Sequence, residues 1–552
     1  MTKKLLLLLN AFLMTITVMA MPGDDGIGDS YYPLAGNGGY DVLHYDLNIT
    51  ADLETDTIQG IASLTIQATQ DLSAFNLEFA DSLHIDEVTI DDLPTEITRG
   101  IDREITITPT ETIPTETTFK LTVIYNGIPE DGWINYGDGI MVFGEPISAS
   151  GWYPVNEHPQ DKATYTISVT TDENLTVAAN GLLTDTTNSG DGFITYRFEP
   201  RDPMASYLVT LAIGEFDVEV DETSNGIPIR NYFAPDLPSY ALSAFDNTAE
   251  MIDFYETIFG PYPFEVYGVV VHDTYIGAAL ETQTLSTFGV DMAGERVAAH
   301  ELSHQWFGDS VSLSDWRDIW LNEGFASYAE ILWVEHQQGR AAADSTLRDW
   351  YADMAGITPA RDVTLANLTA GLDNLDVEGL TISHNKATDA LTVLMGDLLT
   401  EDELNALIET IPEGDIPAED IFELIQTTTF EPAPLRPSRL YEFAVLLGIE
   451  DQLGNTPPVP GDPGENRLFS GVVYIRGALT LHALRLTIGD DAFFETLLTY
   501  TEQYRNSNAR TDDFIALAES ISGQDLQALF DAWLYQLEIP DIPEMELSWL
   551  TS

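Results

Sequence analysis

His300-Glu301-Leu302-Ser303-His304, followed by Asn322-Glu323-Gly324-Phe325-Ala326, is the stretch whose reading decides the fold. The first five residues read H-E-x-x-H. On a helix, residues four apart share one face, a turn from each other, so His300 and His304 can aim imidazole nitrogens at a single metal ion. Glu301 sits beside the first histidine, placed to handle a proton on an activated water. Eighteen residues, 305–322, separate His304 from Glu323. That is room for the end of one helix, a turn and the start of another. A carboxylate returning from a second helix completes a His2Glu set for one catalytic Zn2+ per chain, with an open fourth position.

The bare pentapeptide is a weak signal, because a surface helix can carry two unrelated histidines. Three features speak for the metal site. The chain has nine histidines, and two of them fall at ligand spacing around a glutamate. The segment between the helices carries Trp306, Phe307, Trp316 and Trp320, as a buried wall would. The residues from Asn322 onward open a second run with apolar residues at helical spacing.

H-E-x-x-H-x18-E with Trp320-Leu321-Asn322-Glu323-Gly324-Phe325-Ala326 resembles the M1 family of zinc aminopeptidases, within the gluzincins. The thermolysin group has one more residue in that gap. The segment Gly277-Ala278-Ala279-Leu280-Glu281-Thr282 resembles the family's G-A-M-E-N exopeptidase motif, with Leu280 for Met and Thr282 for Asn. The resemblance implies that Glu281 grips the free α-amine of the substrate. It also implies that Ala278 and Ala279 lie along an edge strand to which the substrate backbone adds. Glu145, in the segment running to Trp152-Tyr153-Pro154, falls where the family carries a Gln or Glu against the same amine. The family's oxyanion-stabilising tyrosine usually follows the last zinc ligand by some sixty residues. No tyrosine occurs here between Tyr351 and Tyr441. The surrounding pattern is matched best by Val473-Tyr474-Ile475-Arg476-Gly477, which selects Tyr474 over Tyr441 and implies an insertion.

The insertion is expected over 367–455 and is acidic. Thr400-Glu401-Asp402-Glu403 reads as a capping box, and 417–426 as a further short helix. The prolines at 432–434 and 457–460 read as stiff connectors. The stretch fits either a small lid beside the cleft or a passive surface insert.

Residues before about 220 read as β. Runs at 58–67, 104–109, 119–125, 164–170 and 196–198 are rich in β-branched and aromatic residues and are separated by Gly, Asp, Asn and Pro. An antiparallel sandwich or saddle-shaped sheet is expected, and family resemblance agrees. After 221 the pattern turns helical, first over 241–259 and then, beyond an apolar strand at 266–272, over 296–306 and 323–337. More helices follow Tyr474, at 490–500, 511–520 and 525–535. The expected class is therefore α+β and multidomain. It has a β domain at 21–220, a thermolysin-like catalytic domain at 221–366 and 456–552, and the helical insertion between its halves. Larger family members add a long α-solenoid after the catalytic domain; the sequence ends at Ser552, so an open cleft is expected.

Residues 1–20 read as an export signal, with Lys3 and Lys4 before an apolar run that is too short to span a membrane. A secreted or periplasmic location follows. There are no cysteines, so neither disulfides nor thiol chemistry contribute.

Acidic residues number 91 against 22 basic, a formal net charge of −69. Such a field repels nucleic acid and anionic membranes, which excludes both as partners. The family resemblance implies peptides with a free N-terminus as partners, and the protein is expected as a monomer or weak oligomer. The acidic residues spread along the whole chain, which suits solubility in salty surroundings. The melting temperature is expected to rise by several degrees between about 10 mM and 1 M NaCl, as the Debye length falls from about 30 Å to 3 Å. An equal melting temperature at both concentrations would remove self-repulsion as a factor.

The expected activity is removal of the N-terminal residue from peptides by zinc-activated water, with Glu301 as general base and Tyr474 holding the oxyanion. Two alternatives stand beside it. One is hydrolysis of a non-peptide such as an epoxide on the same zinc site. The other is a metal-containing pseudoenzyme that binds peptides by their amine.

Overall fold

The computed structural model describes residues 20–354, 361–363, 380–396, 398–412, 414–428, 433–435, 443, 459–537, 539–540 and 542. The expected signal at 1–20 lies outside them except for its last residue, as does Tyr441. No helix among the described residues is long and apolar enough to cross a membrane. Two compact units emerge. The first comprises 33–177 and 183–207 with the chain before 29, and the second comprises 29–32, 178–182 and everything from 208.

The first unit is built on an eight-stranded sheet. Its strands are β1 (Tyr40–Asp52), β2 (Thr57–Ala68), β3 (Leu83–Ile90), β4 (Leu93–Pro94), β5 (Thr118–Gly127), β6 (Thr164–Asp172), β7 (Leu182–Gly190) and β8 (Phe193–Glu199). Their order is β7-β8-β6-β1-β2-β5-β3-β4. In β1 the buried set starts at Tyr40 and Val42 and continues at Tyr45, Leu47, Ile49 and Ala51. The change of phase coincides with a register shift between Val42 and His44. One extra residue there turns the following side chains to the opposite face, which keeps both apolar sets in the core.

The antiparallel expectation needs one correction. β6 runs parallel to β1, with Thr164 beside His44 and Thr170 beside Thr50, whereas β1–β2, β2–β5 and β3–β5 are antiparallel. The chain between β5 and β6, 128–163, is long enough for the crossover that parallel pairing requires. A second sheet, formed by Leu72–Glu78, Glu96–Arg99, Glu104–Thr108 and the short Met21–Pro22, has Leu72–Glu78 between Glu104–Thr108 and Met21–Pro22. Phe75 joins the sheets by packing edge-on to Tyr40 and Phe119, at 5.4 and 5.5 Å between ring centres.

The second unit carries a mixed five-stranded sheet of β9 (Asp217–Glu222), β10 (Pro228–Phe233), β11 (Tyr267–His272), β12 (Ala279–Leu280) and β13 (Ser286–Gly289), ordered β9-β10-β11-β13-β12. Every residue of β11 is buried, which explains its unbroken apolar run. Helix α1 (Thr248–Phe259) links the parallel pair β10 and β11, and buries Thr248, Met251, Ile252, Tyr255 and Phe259 at helical spacing. The expected helix over 241–259 is thus broken into Ser239–Ser243 and α1. Two helices follow: α2 (Glu295–Ser303) and α3 (Trp320–Gln338). The hydroxyl of Tyr255 lies 3.3 Å from the carbonyl of Ala299 on α2 and 3.0 Å from that of Ala329 on α3, so one buried tyrosine ties both helices to α1.

Within 367–455 the described helices are His384–Met395, Glu401–Ile408 and Ala418–Thr427. They bury Leu391, Leu394, Met395, Ile421 and Ile425 in a small core. The capping box is present: Thr400 Oγ1 accepts from the Glu403 N–H at 3.4 Å, and the Thr400 N–H donates to Glu403 Oε2 at 2.9 Å. Of the stiff connector expected at 432–434, Ala433 and Pro434 instead belong to a strand, Ala433–Leu435, pairing antiparallel with Arg361–Val363, and residue 432 lies outside the described residues. A proline is tolerated in such a two-stranded ladder, where each strand has an outer edge.

Candidate active site

The H-E-x-x-H pentapeptide closes helix α2. His300 and Glu301 lie within it, and His304 caps its end, with its N–H donating to the His300 carbonyl at 3.3 Å. Glu323 sits in the first turn of α3. The spacing therefore does what the sequence implied: one donor pair comes from one helix and the third donor from the next.

Each imidazole is oriented by its Nδ1. His304 Nδ1 donates to the carbonyl of Phe307 at 3.0 Å. His300 Nδ1 donates to Glu330 Oε1 at 2.9 Å. Both Nε2 atoms are thereby left to face Glu323, whose Oε2 lies 3.2 Å from that of His300 and 3.6 Å from that of His304. Ligand atoms about 2.0–2.1 Å from a tetrahedral zinc stand about 3.3 Å apart. The three donors, all within 4.8 Å of one another and all buried, fit zinc.

Electrostatics point the same way. Burial pushes Glu301 up to about 8, against the pull of His300 and His304. Burial also raises Glu281, opposed by His304. Glu323 resists its burial because His304 and His300 stand beside it, and is lowered to about 2. Burial disfavours charge on His304, but Glu281 and Glu323 raise it to about 9. Three carboxylates are buried around two imidazoles, and the raised Glu301, Glu281 and His304 retain protons there that a divalent cation would displace.

Glu281 follows β12, the edge strand of its sheet, where Ala279 pairs with Phe288. Ala278 and Ala279 are half-buried at that edge. Glu281 is 2 % exposed. Its Oε1 is 3.9 Å from His304 Nδ1 and receives no hydrogen bond among the described residues. A buried carboxylate oxygen in that condition is costly unless a donor arrives.

Tyr474 stacks on His300, with ring centres 5.7 Å apart and planes 16° from parallel. It lies in a π-helical turn, Val472–Arg476, that runs into helix α4 (Gly477–Ile488). Such turns add a residue to the helical ladder and recur where a side chain must be re-aimed. The turn comes close to α3 through a pair of glycines: a Cβ on Gly324 would sit 2.9 Å from the Cα of Gly477. Glu145 belongs to the first unit, between Ile140–Val142 and the short helix Ala149–Gly151, and its bond to Pro146 is cis.

Sequence reasoning missed Glu330. It stands seven residues after Glu323, two turns along the same face of α3, and that periodicity was the available signal. Arg296 Nη2 holds its other oxygen at 2.8 Å. Groups that orient a metal-bound histidine typically contribute 10–100-fold in metal affinity. Glu330→Gln is therefore expected to weaken zinc binding by about tenfold or more. Competition against a fluorescent chelator measures this, and an unchanged dissociation constant would leave Glu330 a surface ion-pair partner only.

The sequence profile of the Peptidase family M1 domain matches residues 243–367 and 453–533, and that of the Peptidase M1 N-terminal domain matches 42–208. The chain belongs to peptidase family M1. The M1 zinc metallopeptidase of Deinococcus radiodurans is similar in structure, with a TM-score of 0.70 and 27 % identity over 94 % of this chain and 98 % of that one. A variant of that enzyme has been solved bound to a Tyr-Ser-Ala substrate. Human glutamyl aminopeptidase is 25 % identical over 90 % of this M1 chain and 47 % of its own length. Arabidopsis thaliana aminopeptidase M1 is 22 % identical over 90 % of this chain and 50 % of its own. The chain thus spans about half the length of the curated relatives it matches.

Proposed function

We propose that this M1 chain is an exported zinc aminopeptidase that releases the first residue of peptides bearing a free α-amine. The observation that carries the proposal is the buried Glu281 Oε1, which accepts no hydrogen bond among the described residues, beside the His300–His304–Glu323 donor set. An ammonium group is the donor that completes it, as a charge-assisted hydrogen bond. Export rests on the sequence of residues 1–20. The division into a β domain over 21–220, a split catalytic domain over 221–366 and 456–552, and an insertion over 367–455 belongs to the same proposal.

His300, His304 and Glu323 would hold the zinc. When bound, zinc supplies Lewis acidity that activates water and polarises the scissile carbonyl. Glu301 takes the proton from the attacking water and delivers it to the departing amine. Its burial favours this, since a carboxylate of raised pKa is the stronger base. The hydroxyl of Tyr474 donates to the oxyanion that develops on the carbonyl. Glu281, with Glu145 added by family resemblance, pairs with the ammonium and sets the register one residue from the scissile bond. The edge at Ala278 and Ala279 offers backbone groups to the extended substrate.

A paired assay tests the proposal. Aminoacyl fluorogenic substrates and their N-acetylated counterparts are compared on the purified mature chain, with and without a zinc chelator. The expected result is chelator-sensitive cleavage of the free-amine set alone. Equal cleavage of both sets would keep the zinc chemistry and overturn the exopeptidase assignment. Zinc-loaded protein that cleaves neither would overturn peptidase activity.

A further inference from the structure

The amine anchor and the zinc ligands sit on different elements, so something must fix the distance between them. We propose that Gln305 is the positioning residue that does so. By clamping the backbone on either side of the Glu281 loop to the end of the zinc helix, it sets cleavage after the first residue. This rests on the aminopeptidase reading above.

Gln305 directly follows the ligand His304 and is completely buried. Both the nitrogen and the oxygen of its amide are engaged. Nε2 donates to the carbonyl of Glu281 itself at 3.0 Å. Oε1 accepts from the Thr284 N–H at 2.7 Å, and the Tyr262 hydroxyl lies 3.2 Å from the same oxygen. A side-chain amide offers a donor and an acceptor on one planar end, so it satisfies both loop groups at once. An ionised glutamate lacks the donor, and a methionine of similar length lacks both.

The loop it holds is strained. Thr284 has a φ of +68°, a left-handed conformation that a β-branched residue adopts only when its surroundings over-determine it. Two contacts do so. One is the Gln305 Oε1 bond to the Thr284 N–H. The other is the Gly181 N–H, which donates to Thr284 Oγ1 at 2.7 Å. Asn180 adds a third tie, its Nδ2 donating to the Gln283 carbonyl at 2.7 Å. The loop is thus held by 180–181 on one side and by Gln305 on the other, and only Gln305 is continuous with a zinc ligand. His304 and the clamp move as one piece of backbone. Without the clamp, Thr284 can relax towards negative φ, which shifts Glu281 relative to the Nε2 atoms.

The test uses zinc-loaded full chain carrying Gln305→Met, with Gln305→Glu as a second variant that keeps the acceptor for Thr284. Zinc content is expected to match wild type. The KM for aminoacyl substrates is expected to rise about tenfold, with a smaller fall in kcat. Calorimetric affinity for L-tryptophan should weaken about tenfold, and N-acetyl-L-tryptophan should bind both proteins equally weakly. Amide exchange at Thr284 should accelerate. Adding Thr284→Gly, which accepts positive φ without a clamp, should recover part of the L-tryptophan affinity. A purely structural glutamine would instead lower kcat for all substrates through loss of folded protein, with no change in KM. Unchanged KM and L-tryptophan affinity in both variants would overturn the assignment. Wild-type protein that does not prefer L-tryptophan over its acetylated form would overturn the aminopeptidase reading instead, so the two failures are distinct.

Discussion

Glu301→Gln is expected to lower kcat by about three to four decades, the upper range for loss of a general acid–base group, with zinc content unchanged. The amide keeps the size of the side chain and cannot accept the proton of the attacking water. Glu301 is not among the three donors that converge on the metal position, so the ion should stay. Metal analysis alongside steady-state kinetics measures both quantities. Turnover within tenfold of wild type would remove Glu301 from the base role. The pH profile adds a second readout. Burial raises Glu301 to about 8, and a zinc ion at the neighbouring Nε2 atoms pulls it below that value by favouring the carboxylate. The base works deprotonated, so wild-type kcat/KM should climb as pH rises through the pKa of Glu301, and that ascending limb should be absent from the variant.

Glu281→Ala is expected to cost about a hundredfold in kcat/KM on free-amine substrates, in line with the loss of a charge-assisted hydrogen bond in a desolvated site. The loss should fall mainly on KM, because an amine anchor of the kind proposed would grip the ammonium equally in the bound substrate and in the transition state. Any cleavage of N-acetylated substrates should be unaffected or improved, since a buried carboxylate without its ammonium no longer opposes them. Equal losses on the two substrate sets would show that Glu281 shapes the zinc site rather than reading the amine. Its 3.9 Å approach to His304 makes that outcome a physical alternative.

Much of the architecture was legible because it is local. The buried strand at Tyr267–His272 is a short unbroken apolar run, and the helix ending in His304 and the one beginning near Glu323 are likewise read from short-range spacing along the chain. The capping box at Thr400 is local chemistry of the same kind. The parallel placement of β6 against β1 is not, because a strand sequence carries its own pattern but not the direction of its neighbour. The strand at Ala433–Leu435 escaped for a related reason: its partner lies some seventy residues earlier, at Arg361–Val363.

The site divides along the same line. Sequence by itself determined the donor set, since His300 and His304 share a helical face by covalent spacing and Glu323 begins the next helix. It also pointed to Glu281 and Tyr474, through motif resemblance. Tertiary structure decided what surrounds them. Glu330 turns the Nδ1 of His300, and the glycines at 324 and 477 let the Tyr474 turn approach α3. Gln305 ties the zinc helix to a threonine in a left-handed conformation. Each of these depends on atoms brought together by packing across distant parts of the chain. Hydrogen bonds and close backbone approaches act over about 3 Å in space, and a linear sequence records separation only along the chain.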